Sequence, residues 1–122
     1  MNRIVHFEIA ADDMERAAEF YRSALGWDIR KWDGPMEYHM VMTGPEGTPG
    51  INGGLTGRHP GMPGVVNTID VSSLEETLEK VTGAGGTVVM PKSPVPTIGW
   101  LAYCKDTEGN VFGLVQNDPS AV

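Results

Sequence analysis

The sequence predicts an α+β domain made of two consecutive βαβββ modules, and three observations carry that reading. The chain registers on itself when slid by sixty residues, with Val5 on Val65, Ile9 on Ile69, Glu15 on Glu75, Glu19 on Glu79, Ala24 on Ala84, Gly26 on Gly86 and Gly53 on Gly113. In each half a short apolar run ends at a polar pair and is followed by a segment of helical spacing. After each such segment come three short β-type runs separated by Gly, Pro, Asp and Asn. A chain of 122 residues with 40 % hydrophobic side chains is long enough to bury one core and too short for a second domain beside it.

The first strand is predicted over residues 3–10 and its counterpart over residues 65–71. Asp12-Asp13 and Ser72-Ser73 follow them, and all four are good N-cap types. Helices are expected over residues 14–25 and 74–84. Met14, Ala17, Ala18 and Tyr21 line one face of the first, and Leu74, Thr77, Leu78 and Val81 the matching face of the second. Gly26 and Gly85-Gly86 stop them as left-handed C-terminal caps. The remaining strands fall at 27–32, 37–43 and 50–57 in the first module, and at 87–90, 100–105 and 111–116 in the second. Asp33-Gly34-Pro35, Gly44-Pro45-Glu46-Gly47, Ser93-Pro94-Val95-Pro96 and Asp106-Thr107-Glu108-Gly109-Asn110 supply the turns. The modules thus occupy residues 1–57 and 65–116 of a single domain spanning 1–122. Residues 58–64 link them, and the tail from Asn117 is expected to fray.

Charge narrows the partners. Sixteen acidic residues against nine basic ones give a net charge of -7, and the basic residues form no stripe. Nucleic acid and anionic lipid are therefore excluded as expected partners. No apolar run approaches the ~20 residues of a membrane span, and the polar start is not that of a signal peptide. Cys104 is alone, so no internal disulfide and no cysteine zinc site is expected. A cytoplasmic protein follows as the expectation, with Cys104 as a buried small hydrophobe.

The chain resembles the vicinal oxygen chelate superfamily, the glyoxalase/bleomycin-resistance/dioxygenase group. The residues that carry the resemblance are His6-Phe7-Glu8-Ile9-Ala10-Ala11-Asp12-Asp13, Ala17-Ala18-Glu19-Phe20-Tyr21, Leu25-Gly26-Trp27 and Asp106-Thr107-Glu108-Gly109-Asn110-Val111-Phe112-Gly113-Leu114. The resemblance implies that the strands form one curved mixed sheet, a cup with the site on its concave face. It also implies, for metal-dependent members, one ligand on the first and one on the last strand of each module. Those positions here are His6, Val66, Gly53 and Gly113, so His6 is the only matching ligand position. Zinc, nickel or iron needs at least three protein donors, which valine and glycine side chains do not offer. A one-residue slip brings only Asn67 or Thr68 to bear, and a rescue set would have to come from His6, Glu8 and His39. No metal and no other cofactor is expected.

His6 and Glu8 share a face of the first strand and are the catalytic candidates, with the carboxylate expected to raise the imidazole pKa. Met40, Gly53, Thr68, Trp100 and Gly113 are the candidate pocket residues, glycines leaving space that larger side chains wall. Met42, Tyr103 and Phe112 could line the same pocket or belong to the core. The apolar parity of residues 37–43 turns Met40 inward and leaves His39 outward; His59 reads as plain surface. Three functions stay open: metal-independent binding of a small organic molecule, a metal-dependent lyase, isomerase or dioxygenase of the superfamily, and metal-free proton transfer by His6 or Glu8. Binding leads, and among enzymes a glyoxalase-like lyase or isomerase precedes a dioxygenase. The Gly- and Pro-rich segments 50–64 and 91–100, interrupted only by the charges of Arg58 and Lys92, predict a homodimer.

Overall fold

In a computed structural model that describes all of residues 1–122, the two βαβββ modules appear in the predicted order. The first comprises β1 (Ile4–Ala11), α1 (Met14–Leu25), β2 (Asp28–Lys31), β3 (Tyr38–Met42) and β4 (Gly53–Gly57). The second comprises β5 (Val65–Asp70), α2 (Leu74–Gly83), β6 (Thr87–Val95), β7 (Gly99–Lys105) and β8 (Val111–Asn117). Strand order is β2-β3-β4-β1 in the first module and β5-β8-β7-β6 in the second. In each, the first and last strands run parallel and the other neighbours antiparallel.

By packing, the chain divides into His6–Val66 and a second unit of Asn67–Val122 joined by Met1–Val5. The opening residues belong to the second unit because they bond there. The Asn2 amide donates to the Asp70 carbonyl at 2.8 Å, and the Asp70 amide donates to the Arg3 carbonyl at 3.0 Å. The first unit mirrors this arrangement, its Ala10 amide donating to the Gly64 carbonyl at 2.8 Å.

Both helices start where the sequence caps them. Asp13 Oδ1 accepts from the Arg16 amide at 3.0 Å, and Ser73 Oγ accepts from the Glu76 amide at 3.2 Å. Gly26, at φ 71°, ends α1 in the left-handed conformation. The second helix ends differently, on Ala84 at φ -91°, and the left-handed residue is Gly85 one position later. Each helix then buries its apolar stripe on its own module. Met14 and Ala18 close on Ile29, Val41 and Leu55, and Leu74 closes on Ala102, Cys104 and Leu114. Ring contacts reinforce the first core, with Tyr21 and Trp27 stacked at 5.0 Å between centroids and Phe7 tilted 6.2 Å from Trp27.

Three expectations are corrected. The turn expected at residues 93–96 is strand: β6 continues through Pro91 and Pro94 to Val95, with pairing shifts between Val88 and Met90 and between Met90 and Ser93. It lies at the end of the strand order, where a proline costs no ladder bond. The tail does not fray. Asp118 Oδ2 accepts from the Trp100 indole at 3.1 Å, its amide donates to the Ile98 carbonyl at 3.0 Å, and Ala121 is only 1 % exposed. Bonds from Ser120 and Trp100 hold the Asp118 carboxyl below the ordinary carboxylate range.

The third correction concerns register. Glu8 pairs with Gly54 across β1 and β4, whereas its repeat partner Thr68 pairs with Gly113 across β5 and β8. The sixty-residue offset therefore holds for the first strand and helix of each module and slips by one residue at the last. Gly54, not Gly53, is the structural counterpart of Gly113.

Candidate functional site

Strand alternation sorts the side chains of the first module onto two faces. Phe7 and Ile9 pack toward α1 with Val41 and Leu55, so the opposite parity presents His6, Glu8, Tyr38, Met40 and Gly54 on the other face. The predicted pair His6 and Glu8 does share that face, and Met40 stands there too, 36 % exposed.

His6 meets a partner that sequence reasoning did not single out. Its Nε2 lies 2.7 Å from the Tyr38 hydroxyl, and the two rings are tilted by only 14° with centroids 6.5 Å apart. Gly54 makes the contact geometrically possible. A Cβ at residue 54 would fall on the Tyr38 hydroxyl, so the phenol end occupies the space that any other residue would fill. On the far side Trp32 meets Tyr38 edge-on at 6.1 Å, and the Trp32 ring in turn lies over Gly34, where a Cβ would strike it. The Trp32 amide donates to the Tyr38 carbonyl at 2.8 Å and fixes the backbone of the same pair.

The electrostatics differ from the sequence expectation. Burial lowers the His6 pKa, and the nearby Glu8 charge, which raises it, is the smaller influence. The imidazole is therefore biased toward its neutral form, where one ring nitrogen donates and the other accepts. Burial pushes the Tyr38 hydroxyl up, and the Glu8 charge adds to the same direction. Phenol and imidazole are both neutral near pH 7.

The other predicted site residues fall elsewhere. Gly53 pairs with Val41 and Phe7 on the helix side, where a Cβ would strike the Phe7 carbonyl and ring. Trp100 is also on the helix side of its module, packed on the second core with the Lys92 ammonium 4.6 Å from its ring centroid. Thr68 and Gly113 are adjacent in the second module, a Cβ on Gly113 reaching 3.0 Å from Thr68 Oγ1. His39 corrects the parity argument. It is 3 % exposed and faces α1, its Nε2 donating to Glu15 Oε1 at 2.8 Å while its buried Nδ1 has no hydrogen-bond partner. The set His6, Glu8 and His39 is thus divided between two faces of one sheet. A hollow of about 410 Å³ lies beside α2, lined by Ile69, Val71, Thr77, Lys80, Val81 and Phe112; of the residues considered for a pocket only Phe112 reaches it.

The donor set does not fit the metal that the resemblance implies. No three His, Cys, Asp or Glu side chains come together to hold an ion. At the last-strand position of the first module, Gly54 supplies no donor, and the Tyr38 hydroxyl stands in the space above it, bonded to His6.

Comparison with known proteins agrees with this architecture. Residues 3–114 match the family described as the Glyoxalase/Bleomycin resistance protein/Dioxygenase superfamily. Lactoylglutathione lyase GLX1 of Arabidopsis thaliana is 30 % identical over 131 residues, covering 97 % of this chain and 45 % of that protein. The chain spans less than half the length of the curated relatives that it matches at 30 % identity. Among solved structures, hypothetical protein BH1468 of Bacillus halodurans has a TM-score of 0.73 at 16 % identity, over 99 % of this chain and 98 % of that one. A Streptomyces coelicolor methylmalonyl-CoA epimerase variant in complex with 2-nitronate-propionyl-CoA has a TM-score of 0.70 at 16 % identity, over 100 % and 99 %. These structural likenesses establish the fold.

The Gly54 gap yields a direct prediction. Gly54→Ala should destabilise the protein by about 1–3 kcal/mol, the usual cost of overpacking, in urea unfolding. In a Tyr38→Ala background the same substitution should cost close to nothing. Equal costs in both backgrounds would show that the phenol does not fill the gap.

Proposed function

Because the chain belongs to the glyoxalase/bleomycin resistance protein/dioxygenase superfamily, we propose that it binds a small organic molecule without a metal ion. The 2.7 Å contact between His6 Nε2 and the Tyr38 hydroxyl carries this reading. That nitrogen is the one donor the sequence retains at the implied ligand positions, and it is committed to a phenol. Val66, Gly54 and Gly113 add no side-chain donors, while zinc and nickel sites use at least three. What the face offers a ligand is a hydroxyl, an exposed thioether and an indole, with the Glu8 charge nearby. Such a mixture of a few polar groups on an apolar surface suits a small organic compound.

A metal-dependent lyase or isomerase, with a dioxygenase after it, is the second reading. It is favoured by the 30 % identity to a protein named lactoylglutathione lyase. Thermal melting separates the two. Added zinc or nickel should leave the melting temperature of the metal-stripped protein unchanged. A metal-dependent rise that vanishes in His6→Ala would establish the second reading, since a ligand of the native state stabilises by mass action.

The same proposal includes a homodimer in the cytoplasm. Support for the dimer comes from β6, whose Val88, Val89 and Met90 are each about 40 % exposed on a strand with one hydrogen-bonded neighbour. Support for the compartment comes from the single, buried, unpaired Cys104. Sedimentation at micromolar concentration should give a species near twice 13.1 kDa, and a monomer throughout that range would reject the dimer.

A further inference from the structure

We propose that the Tyr38 hydroxyl, propped by His6 and seated in the gap over Gly54, is the donor that anchors a neutral carbonyl oxygen on a flat apolar ligand. The inference rests on the metal-free reading above and names the ligand class for that face. In the tautomer in which His6 Nε2–H donates to Tyr38 Oη, the phenol oxygen accepts and its own proton points elsewhere. In that tautomer the proton is available to an acceptor on a ligand. The hydroxyl does what a metal would do for an oxygen atom, fixing its position and drawing on its electrons, with no ion needed.

Preorganisation makes the donor effective. Its strand position is set by the β3 pairing of Tyr38 with Thr56, its ring by Trp32 and His6, and its oxygen by the 2.7 Å bond. A donor already fixed in place costs a ligand little ordering on binding. The surroundings select among acceptors. Glu8 lies on the same face and paired with Gly54, so a carboxylate ligand meets a like charge whereas a ketone or amide oxygen does not. Met40, paired with Gly54 on the other side, gives exposed apolar surface beside the hydroxyl, and the Trp32 indole extends it beyond the Tyr38 ring.

Acetophenone, benzoate and ethylbenzene are suitable probes, since they share one ring and differ in the oxygen. Acetophenone should quench tryptophan fluorescence saturably, with benzoate and ethylbenzene each binding at least several-fold more weakly. Its carbonyl stretch should move to lower wavenumber in the complex than in hexane. In Tyr38→Phe the affinity should fall roughly tenfold, the worth of one well-placed hydrogen bond, and the stretch should return to its apolar value. Unchanged affinity and frequency in that variant would overturn the proposal, as would a wild-type protein that does not bind acetophenone saturably. If the variant fails to fold, the wild-type carbonyl frequency decides alone, an unshifted stretch overturning the assignment. A metal-dependent stabilisation lost with His6 would defeat the metal-free reading instead, and the two failures are distinguishable.

Discussion

Tyr38 can lie where it does only because residue 54 has no side chain. Any Cβ there would coincide with the phenol oxygen, and interiors this close-packed do not absorb such an overlap cheaply. From that single steric allowance follows the rest of the candidate site. The phenol reaches His6 Nε2 and occupies that nitrogen, and Trp32 meets the phenol ring in a T-shaped contact. The missing side chain at Gly54 and the Tyr38 hydroxyl above it are two sides of one steric fact.

The two modules share a plan and differ in what they place on it. Where the first module has Glu8 opposite Gly54, the second has Thr68 opposite Gly113; where the first has Met40 opposite Gly54, the second has Tyr103 opposite Gly113. A histidine at the start of the first module corresponds to Val66 in the second, buried at 4 % exposure. The repeat preserves the strand pairing, glycine on the last strand included, and places a histidine on the opening strand of the first module only. The first core is also richer in rings, with Phe7, Tyr21 and Trp27 packed around it, so the module carrying His6 rests on stiffer support.

Much of this was legible in the residues. The offset of sixty, the caps Asp13 and Ser73 and the turn residues located both helices and every strand within a few positions. Face assignment was not legible on β3, because Tyr38-His39-Met40-Val41-Met42 alternates residues that are half apolar on either parity. In the structure His39 joins Val41 on the helix side, where its Nε2 meets Glu15 from α1, a tertiary bond that no local pattern announces. Gly53-Gly54 posed the same difficulty. Adjacent glycines are identical to a pattern reader, and only pairing shows that one faces Phe7 and the other Tyr38. Proline misled at Pro91 and Pro94 because an outermost strand tolerates it, and the tail was anchored by Asp118 through a bond to Trp100 across the sequence.

The central claim is that His6 Nε2 belongs to Tyr38 and not to a metal. Nitrogen NMR of the ¹⁵N-labelled imidazole, recorded before and after one equivalent of paramagnetic nickel, tests it at the atom concerned. The account predicts an Nε2 resonance shifted by its hydrogen bond, sensitive to Tyr38→Phe, and unbroadened by nickel. Loss of that resonance on adding nickel, at a concentration that leaves exposed His59 visible, would contradict it.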